Sequence, residues 1–159
     1  MIIKEASIQD AQKIAEIVCC SNKDVAQQFN LTFENSPKHP SFCTKEWVIS
    51  DFERGAEYFI CYIDNQPVGC VAFEQPDPDT IYLNRLSVLP NHRHQGIGAA
   101  LVNYIIEYSK SKKASYISIG IIAEHAVLKN WYSMLGFTEG DIQKFEHLPF
   151  DVLYMQYAL

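Results

Sequence analysis

Apolar residues recur along the chain at two spacings, and the switches between them divide it into elements. Residues 2–6 read as a short strand. Ser7 is placed to cap a helix in which Ala11, Ile14, Ala15, Ile17 and Val18 recur at helical spacing. Residues 21–45 hold no clean period. Phe29, Leu31 and Phe33 are interleaved with polar residues and lead into Ser36-Pro37-Lys38-His39-Pro40, which predicts a loop around a short helix, with an amphipathic turn or two over 46–54. From Glu57 the spacing becomes that of strands. Tyr58–Ile63 and Val68–Phe73 are rich in aromatic and β-branched residues and flank Asp64-Asn65-Gln66-Pro67, so they predict a hairpin. After the turn Pro76-Asp77-Pro78-Asp79, residues Ile81–Val88 form a third, strongly apolar strand, broken at Pro90-Asn91. A helix runs from about Gly98 to Lys110, with Leu101, Ile105 and Tyr108 on one face, and Tyr116–Ile122 is again a strand. Residues 125–135 predict a helix that stops at Gly136, and strands near 143–147 and 151–158 follow. The helix between strands 81–88 and 116–122 makes their connection a crossover, so these two strands run parallel in an otherwise mostly antiparallel sheet. The class expected is α/β, or α+β in some schemes: a mixed sheet flanked by helices.

Composition narrows the possibilities. The chain has 159 residues, 48% hydrophobic and 20% charged, with no repeat, low-complexity tract or Gly/Ser linker, which fits one domain over 1–159. A net charge of −6 argues against nucleic acid and anionic membrane as partners. Residues 91–113 differ from the rest: Arg93, Lys110, Lys112 and Lys113 stand against Glu107 alone. The five cysteines show no C-x-x-C spacing and no metal-finger pattern, so no metal site is expected. Met1-Ile2-Ile3-Lys4-Glu5 turns polar at once, unlike a signal peptide or membrane span, and a reducing, cytoplasmic location is expected. If Asp64 pairs with Pro67, Cys61 faces Cys70 across the hairpin, either as two small apolar residues or as a regulatory disulfide.

The richest segment is Leu86-Ser87-Val88-Leu89-Pro90-Asn91-His92-Arg93-His94-Gln95-Gly96-Ile97-Gly98-Ala99-Ala100-Leu101, a buried strand passing through a glycine-containing loop into a helix. The first amides of a helix lack internal partners and carry the positive end of its dipole, and glycines let the backbone approach closely, so such a junction suits an anionic group such as phosphate. A Walker A loop is excluded, because no G-K-[S/T] follows at the required spacing. A dinucleotide fingerprint is excluded by Leu101, where a third small residue is needed, and by the antiparallel meander that precedes it.

The pattern that fits is R-x-x-G-x-G, as Arg93-His94-Gln95-Gly96-Ile97-Gly98. With Leu86-Ser87-Val88-Leu89-Pro90 before it, it resembles the coenzyme A loop of the GCN5-related N-acetyltransferase (GNAT) superfamily. A second segment, Trp131-Tyr132-Ser133-Met134-Leu135-Gly136-Phe137, resembles the Tyr-x-x-x-Gly-Phe end of the family's next helix. The resemblance implies the acyl-CoA N-acyltransferase fold, whose parallel strand pair splays apart, and acetyl-CoA as co-substrate. It also implies transfer of an acetyl group to a primary amine by direct attack on the thioester. The amides from about Arg93 through His94, Gln95, Gly96, Ile97 and Gly98 to Ala99 would hold the pyrophosphate. Backbone groups of Leu86 and Val88 would hold the pantetheine arm, with an N–H near Val88 polarising the thioester carbonyl, worth about 2.7–4 kcal/mol in comparable sites. Tyr132, a phenol of pKa about 10, would protonate or hydrogen-bond the departing thiolate of pKa about 8.5. Where many relatives carry an arm-binding Asn this chain has His125, which either makes an equivalent contact or caps the helix.

Two parts of the chemistry stay open. Many relatives place a carboxylate on strand 81–88, but the corresponding stretch here is Asn84-Arg85. Glu74, Glu34, His39 and His147 are general-base candidates by residue type only. The acceptor side, by resemblance residues 24–54 and 139–150, holds Phe29, Phe33, Phe42, Trp47, Phe145 and Phe150 with Glu34, Glu46, Glu53, Glu139 and Glu146 among them. That mixture reads either as an acidic, aromatic-lined pocket for a cationic amine, small or peptidic, or as core aromatics and surface acids. Relatives often form homodimers. The rival readings are a catalytically silent coenzyme A sensor and a protein-interaction domain using the 21–45 loop.

Overall fold

Successive residues of the central strands point to opposite faces of one sheet, and here both faces are covered. The computed structural model describes all 159 residues. Its elements in chain order are strand β1 (Ile2–Glu5), helices α1 (Ala11–Ser21), α2 (Lys23–Gln28) and α3 (Lys45–Glu53), and strands β2 (Glu57–Ile63), β3 (Gln66–Glu74) and β4 (Thr80–Val88). Helix α4 (Ile97–Lys110), strand β5 (Tyr116–Ile122), helix α5 (Ala126–Met134) and strands β6 (Thr138–Gln143) and β7 (Val152–Ala158) complete them. The strands form one sheet in the order β1-β2-β3-β4-β5-β7-β6. Every neighbouring pair is antiparallel except β4 and β5, which run parallel as the crossover through α4 requires.

Alternation assigns the core to two layers. On one face Phe59 and Cys61 of β2 and Val71 and Phe73 of β3 pack with Ile97, Leu101, Val102 and Ile105 of α4. On the other, Tyr58 and Ile60 of β2 and Cys70 and Ala72 of β3 pack with Ala11, Ile14, Ala15 and Val18 of α1 and Val48 of α3. Strands buried on both faces need apolar residues at every position, which is why they read as unbroken apolar runs.

Three expectations are corrected. The hairpin turns on two residues, Asp64 and Asn65, both with positive φ (49° and 64°), as the tight turn joining twisted strands demands. Ile63 therefore pairs with Gln66 and Tyr62 with Pro67, and an irregularity after Cys61 sets it against Gly69, while Cys70 faces Ile60. The two thiols lie in different core layers, and no disulfide can join them. Strand β6 occupies residues 138–143 rather than 143–147, on a wholly exposed sheet edge where no apolar alternation marks it. Ser7 opens a single 3₁₀ turn over residues 8–10, its amide donating to Asp10 Oδ2 (3.0 Å), and α1 begins after that turn.

Candidate active site

The site begins where β4 parts from β5. Their parallel ladder pairs Thr80, Ile81 and Tyr82 with Tyr116, Ile117 and Ser118, and then stops. On its other edge β4 pairs Asn84 with Ala72 and Ser87 with Cys70, so Arg85 and Leu86 together face Val71 in a bulge. Arg85 has φ of 56°, a left-handed conformation that costs a non-glycine residue energy and that persists only where the surroundings impose it. A bulge bends its strand, and from Leu83 onward β4 has no partner on the β5 side. The split opens a cleft of about 480 Å³. Leu83, Asn84, Arg85 and Leu86 line one wall, Ile119 to Ile122 with Leu128 and Tyr132 the other.

Beyond the C-terminal end of β4 lies the glycine loop. Pro90 to His92 form a 3₁₀ turn, closed when the Arg93 amide donates to Pro90 O (3.3 Å). Ala100 is the next residue whose amide bonds within the chain, to Gly96 O (3.0 Å). Between them the six amides from His94 to Ala99 have no backbone acceptor, and no side chain caps α4. Positive φ at His94 (61°) and Gly96 (81°) turns this backbone into α4. Successive amides in such a turn form an anion-binding concavity, reinforced by the dipole of a 14-residue helix. At Gly98 a Cβ would stand 3.2 Å from the Trp131 ring, so glycine lets α4 approach α5 closely without displacing that ring.

Arg93 acts here through its side chain. Its guanidinium donates to Asp24 Oδ2 (2.5 Å) and to the carbonyls of Ser21 (2.5 Å) and Val88 (3.3 Å), and it holds the Asp24 carboxyl below its usual pKa. It clamps the end of β4 onto α1 and α2, and the run of free amides starts one residue later, at His94.

Tyr132 projects from α5 into the cleft wall and is buried, with 5% of its surface exposed. Its ring packs edge-on against Trp131 and Phe137, and its hydroxyl has no hydrogen-bond partner in the protein. Burial pushes its pKa well above that of a free phenol, so the proton stays on oxygen throughout the neutral range. His125 caps α5: Nδ1 accepts from the Leu128 amide (3.3 Å), and the ring lies against Phe29 at 5.4 Å while lining the cleft. Burial lowers its pKa, and with Nδ1 accepting, the proton sits on Nε2. His39, also in the cleft, is arranged alike, with Nδ1 accepting from the Ser41 amide (3.2 Å) and burial lowering its pKa. A neutral imidazole held in that tautomer offers a donor to the cleft.

Of the two readings of the 24–54 and 139–150 segments, the acids follow the surface one. Glu34, Glu46, Glu53, Glu139, Glu146 and His147 are all exposed and none lines the cleft; of the six aromatics only Phe150 does. The polar lining is instead a network in which Asp51 and Arg54, which sequence reading missed, join Glu74, Asn84 and Arg85. Asp51 of α3, 4% exposed, accepts from Tyr58 Oη (2.5 Å), Arg54 Nη2 (2.9 Å) and Arg85 Nε (3.3 Å). Glu74 of β3 accepts from Arg54 Nε (3.0 Å) and Nη2 (2.6 Å) and from Asn84 Nδ2 (2.6 Å). Asp51 stands three residues after Val48 on the buried stripe of α3, and a carboxylate on an apolar stripe was the signal available.

Tyr132, His125, Leu86, His39 and Glu74 thus meet in one cleft, Val88 lies beneath Gly98 at its end, and the free amides from His94 to Ala99 follow. No three His, Cys, Asp or Glu side chains are grouped to hold a metal ion, and no helix is long and apolar enough to cross a membrane.

Comparison with known proteins agrees with this fold. The chain is 29% identical over 105 residues to an uncharacterised N-acetyltransferase of Methanocaldococcus jannaschii, covering 62% of this chain and 46% of that protein. It is 28% identical over 117 residues to an N-acetylaspartate synthetase of Danio rerio, covering 66% and 42% respectively. The chain thus spans less than half the length of these curated relatives. Among solved structures, a PaiA N-acetyltransferase from Thermoplasma acidophilum in complex with coenzyme A superimposes over the full length of both chains, with a TM-score of 0.78 at 18% identity. Residues 22–137 match the family model for the acetyltransferase (GNAT) family, and the chain belongs to that family.

Proposed function

We propose that this protein is an acetyl-CoA-dependent N-acetyltransferase that moves an acetyl group to a primary amine by direct attack on the thioester, with residues 1–159 acting as one catalytic domain. The observation that carries this reading is the run of six unpartnered amides, His94 to Ala99, at the head of a helix and at the end of a split sheet. The solved relative named above is a coenzyme A complex, and the residues here fit the same ligand: a pyrophosphate needs several donors and a close approach, which the amides and the Gly96 and Gly98 backbone supply. Leu86 and Val88, on the unpaired stretch of β4, would offer backbone groups to the pantetheine arm as a neighbouring strand does.

In this reaction the amine nitrogen forms a bond to the acetyl carbon, and the carbon–sulfur bond breaks with its electron pair left on sulfur. Starting from the ammonium, one proton ends on the thiol and one is released. Tyr132 would donate its hydroxyl hydrogen bond to the departing sulfur. With the phenol pKa raised by burial, its part is to stabilise the developing thiolate rather than to be a strong acid; the same dry surroundings also raise the basicity of the sulfur it faces. His125, whose Nδ1 is spent on the helix, would donate Nε2–H to the arm. The acceptor is an amine. The relatives' names include an N-acetylaspartate synthetase and a ribosomal-protein-S18-alanine N-acetyltransferase, so both a small molecule and a protein stand among the named substrates and products.

Thermal unfolding in the presence of acetyl-CoA, coenzyme A and ATP tests the reading. A ligand at 100 times its Kd stabilises by about 2.7 kcal/mol, so acetyl-CoA and coenzyme A should each raise the Tm by several degrees and ATP should not. No shift with acetyl-CoA overturns the proposal. A shift with no coenzyme A released in the presence of any amine favours the silent sensor.

A further inference from the structure

Both of the cleft's carboxylates are already engaged by arginines, while Arg85 keeps donors in reserve. Asp51 and Glu74 accept three hydrogen bonds each, all from the protein. Arg85 spends only Nε, on Asp51, and neither Nη1 nor Nη2 has a partner. Neither is sealed away, since the enclosed unpartnered side-chain atoms are three serine hydroxyls elsewhere, and Arg85 lines the cleft. The guanidinium sits on the Trp47 ring (5.7 Å) and against Asp51, so it is fixed before any ligand arrives. It belongs to the strained bulge residue immediately before Leu86, at the mouth of the strand split.

Two free Nη donors on a guanidinium held in place form a fork that matches the two oxygens of a carboxylate. We infer that Arg85 binds the carboxylate of the acceptor, and that the acceptor is a small amine that itself carries a carboxylate, a free amino acid, rather than a simple cationic amine. This deepens the proposed function and rests on it. A purely cationic acceptor would meet only carboxylates already charge-paired with Arg54 and Arg85, whereas a zwitterion places its anionic end on the fork. The amino group, one or two carbons away, is then confined to the neighbourhood of Leu86, and the cost of orienting the nucleophile is met by binding.

The test is a panel of acceptors in matched pairs, assayed for coenzyme A release with acetyl-CoA: phenylalanine with phenethylamine, leucine with isoamylamine, lysine with cadaverine, aspartate with its diamide, and a C-terminally amidated dipeptide alongside. At least one carboxylate-bearing member should be turned over with kcat/KM on the order of 10- to 100-fold above its partner, the range expected for one charged, bidentate contact. In Arg85→Lys, which keeps a positive charge beside Asp51 but loses the fork, the acceptor KM should rise on the order of 10- to 100-fold, while the KM for acetyl-CoA and the acetyl-CoA thermal shift hold. Binding of the acetylated amino acid to the coenzyme A complex, followed by calorimetry, should weaken by a similar factor. Amines without carboxylates, or the amidated dipeptide, being acetylated as well as the amino acids would overturn the assignment while leaving the acetyltransferase reading intact. So would failure of every amino acid in a protein that binds acetyl-CoA, or a loss in Arg85→Lys that falls equally on acetyl-CoA. Absence of any acetyl-CoA shift would remove both proposals together.

Discussion

At the scale of single residues, Tyr132 shows how burial sets a side chain's use. A phenol with a free hydroxyl on a cleft wall normally donates to water. Here the rings of Trp131 and Phe137 exclude water from its sides, and the hydroxyl is left directed to whatever enters the split. Tyr132→Phe removes one oxygen and no packing. We expect kcat to fall about 100-fold, the lower end of what a positioned proton donor contributes, with the Kd for acetyl-CoA changed less than about threefold; stopped-flow turnover and calorimetry check the two halves separately. Arg93 teaches the opposite lesson. A cation next to an expected phosphate site invites the reading that it binds phosphate, yet its donors are spent on Asp24, Ser21 and Val88. In the proposed site, contact with a phosphate would fall to the loop's backbone amides.

The informative element is the strand–loop–helix formed by β4, residues 89–96 and α4. It was legible because each part has a local cause: an apolar strand, a proline that ends it, glycines that free the backbone, and a helix with one apolar face. The two glycines fail differently when replaced. A Cβ at Gly96 meets nothing within 4 Å, but φ of 81° strains any other residue, so Gly96→Ala should cost about 1–2 kcal/mol of stability, read from urea unfolding. Gly98→Val drives side-chain atoms into Trp131 and should weaken acetyl-CoA binding at least about tenfold, read by calorimetry, by moving the first turn of α4 off its position. Helix α5 was legible from Gly136 and from its capping histidine. The Asp51, Arg54, Arg85 and Glu74 network was not, because it joins α3, β3 and β4 through contacts up to 34 residues apart in sequence, and spacing along one element cannot reveal them. The hairpin register was missed for a related reason. Two non-glycine residues at positive φ decide it, and the change in register by one sends Cys61 and Cys70 to different layers.

For the whole molecule, the two layers of core share a set of tyrosines whose protons are tied to the folded state. The Tyr108 hydroxyl donates to Glu57, and that bond together with burial pushes its pKa up to about 12; burial raises those of Tyr58, beside Asp51, and Tyr132 as well. In the unfolded chain these phenols ionise near pH 10. A pKa raised on folding gives stability that is fully present below the unfolded value and is lost as pH rises toward the folded one, so the loss falls between about pH 10 and 12. Urea midpoints measured from pH 8 to 12 should hold until about pH 10 and then fall, and Tyr108→Phe should make that fall shallower.

The short β4–β5 ladder has one more consequence. At its closed end it is stapled by the amides of Ser115 and Tyr116 donating to Asp79 O (2.8 and 3.3 Å) and by the Thr80 hydroxyl donating to Tyr116 Oη (3.0 Å). Past Tyr82 and Ser118 the two strands become a pair of raw edges in the interior of a sheet. An exposed edge is normally a template on which other chains aggregate, and proteins blunt it with charge, proline or a covering element. These edges are shielded by confinement: each is backed by a paired strand, β3 or β7, and they face one another across a gap closed at one end. A peptide strand from another molecule would have to enter lengthwise from the open end, whereas a slender chain with amides of its own, such as the proposed pantetheine arm, would fit between the two edges. The molecule keeps an adhesive surface at its centre and leaves only a narrow way in.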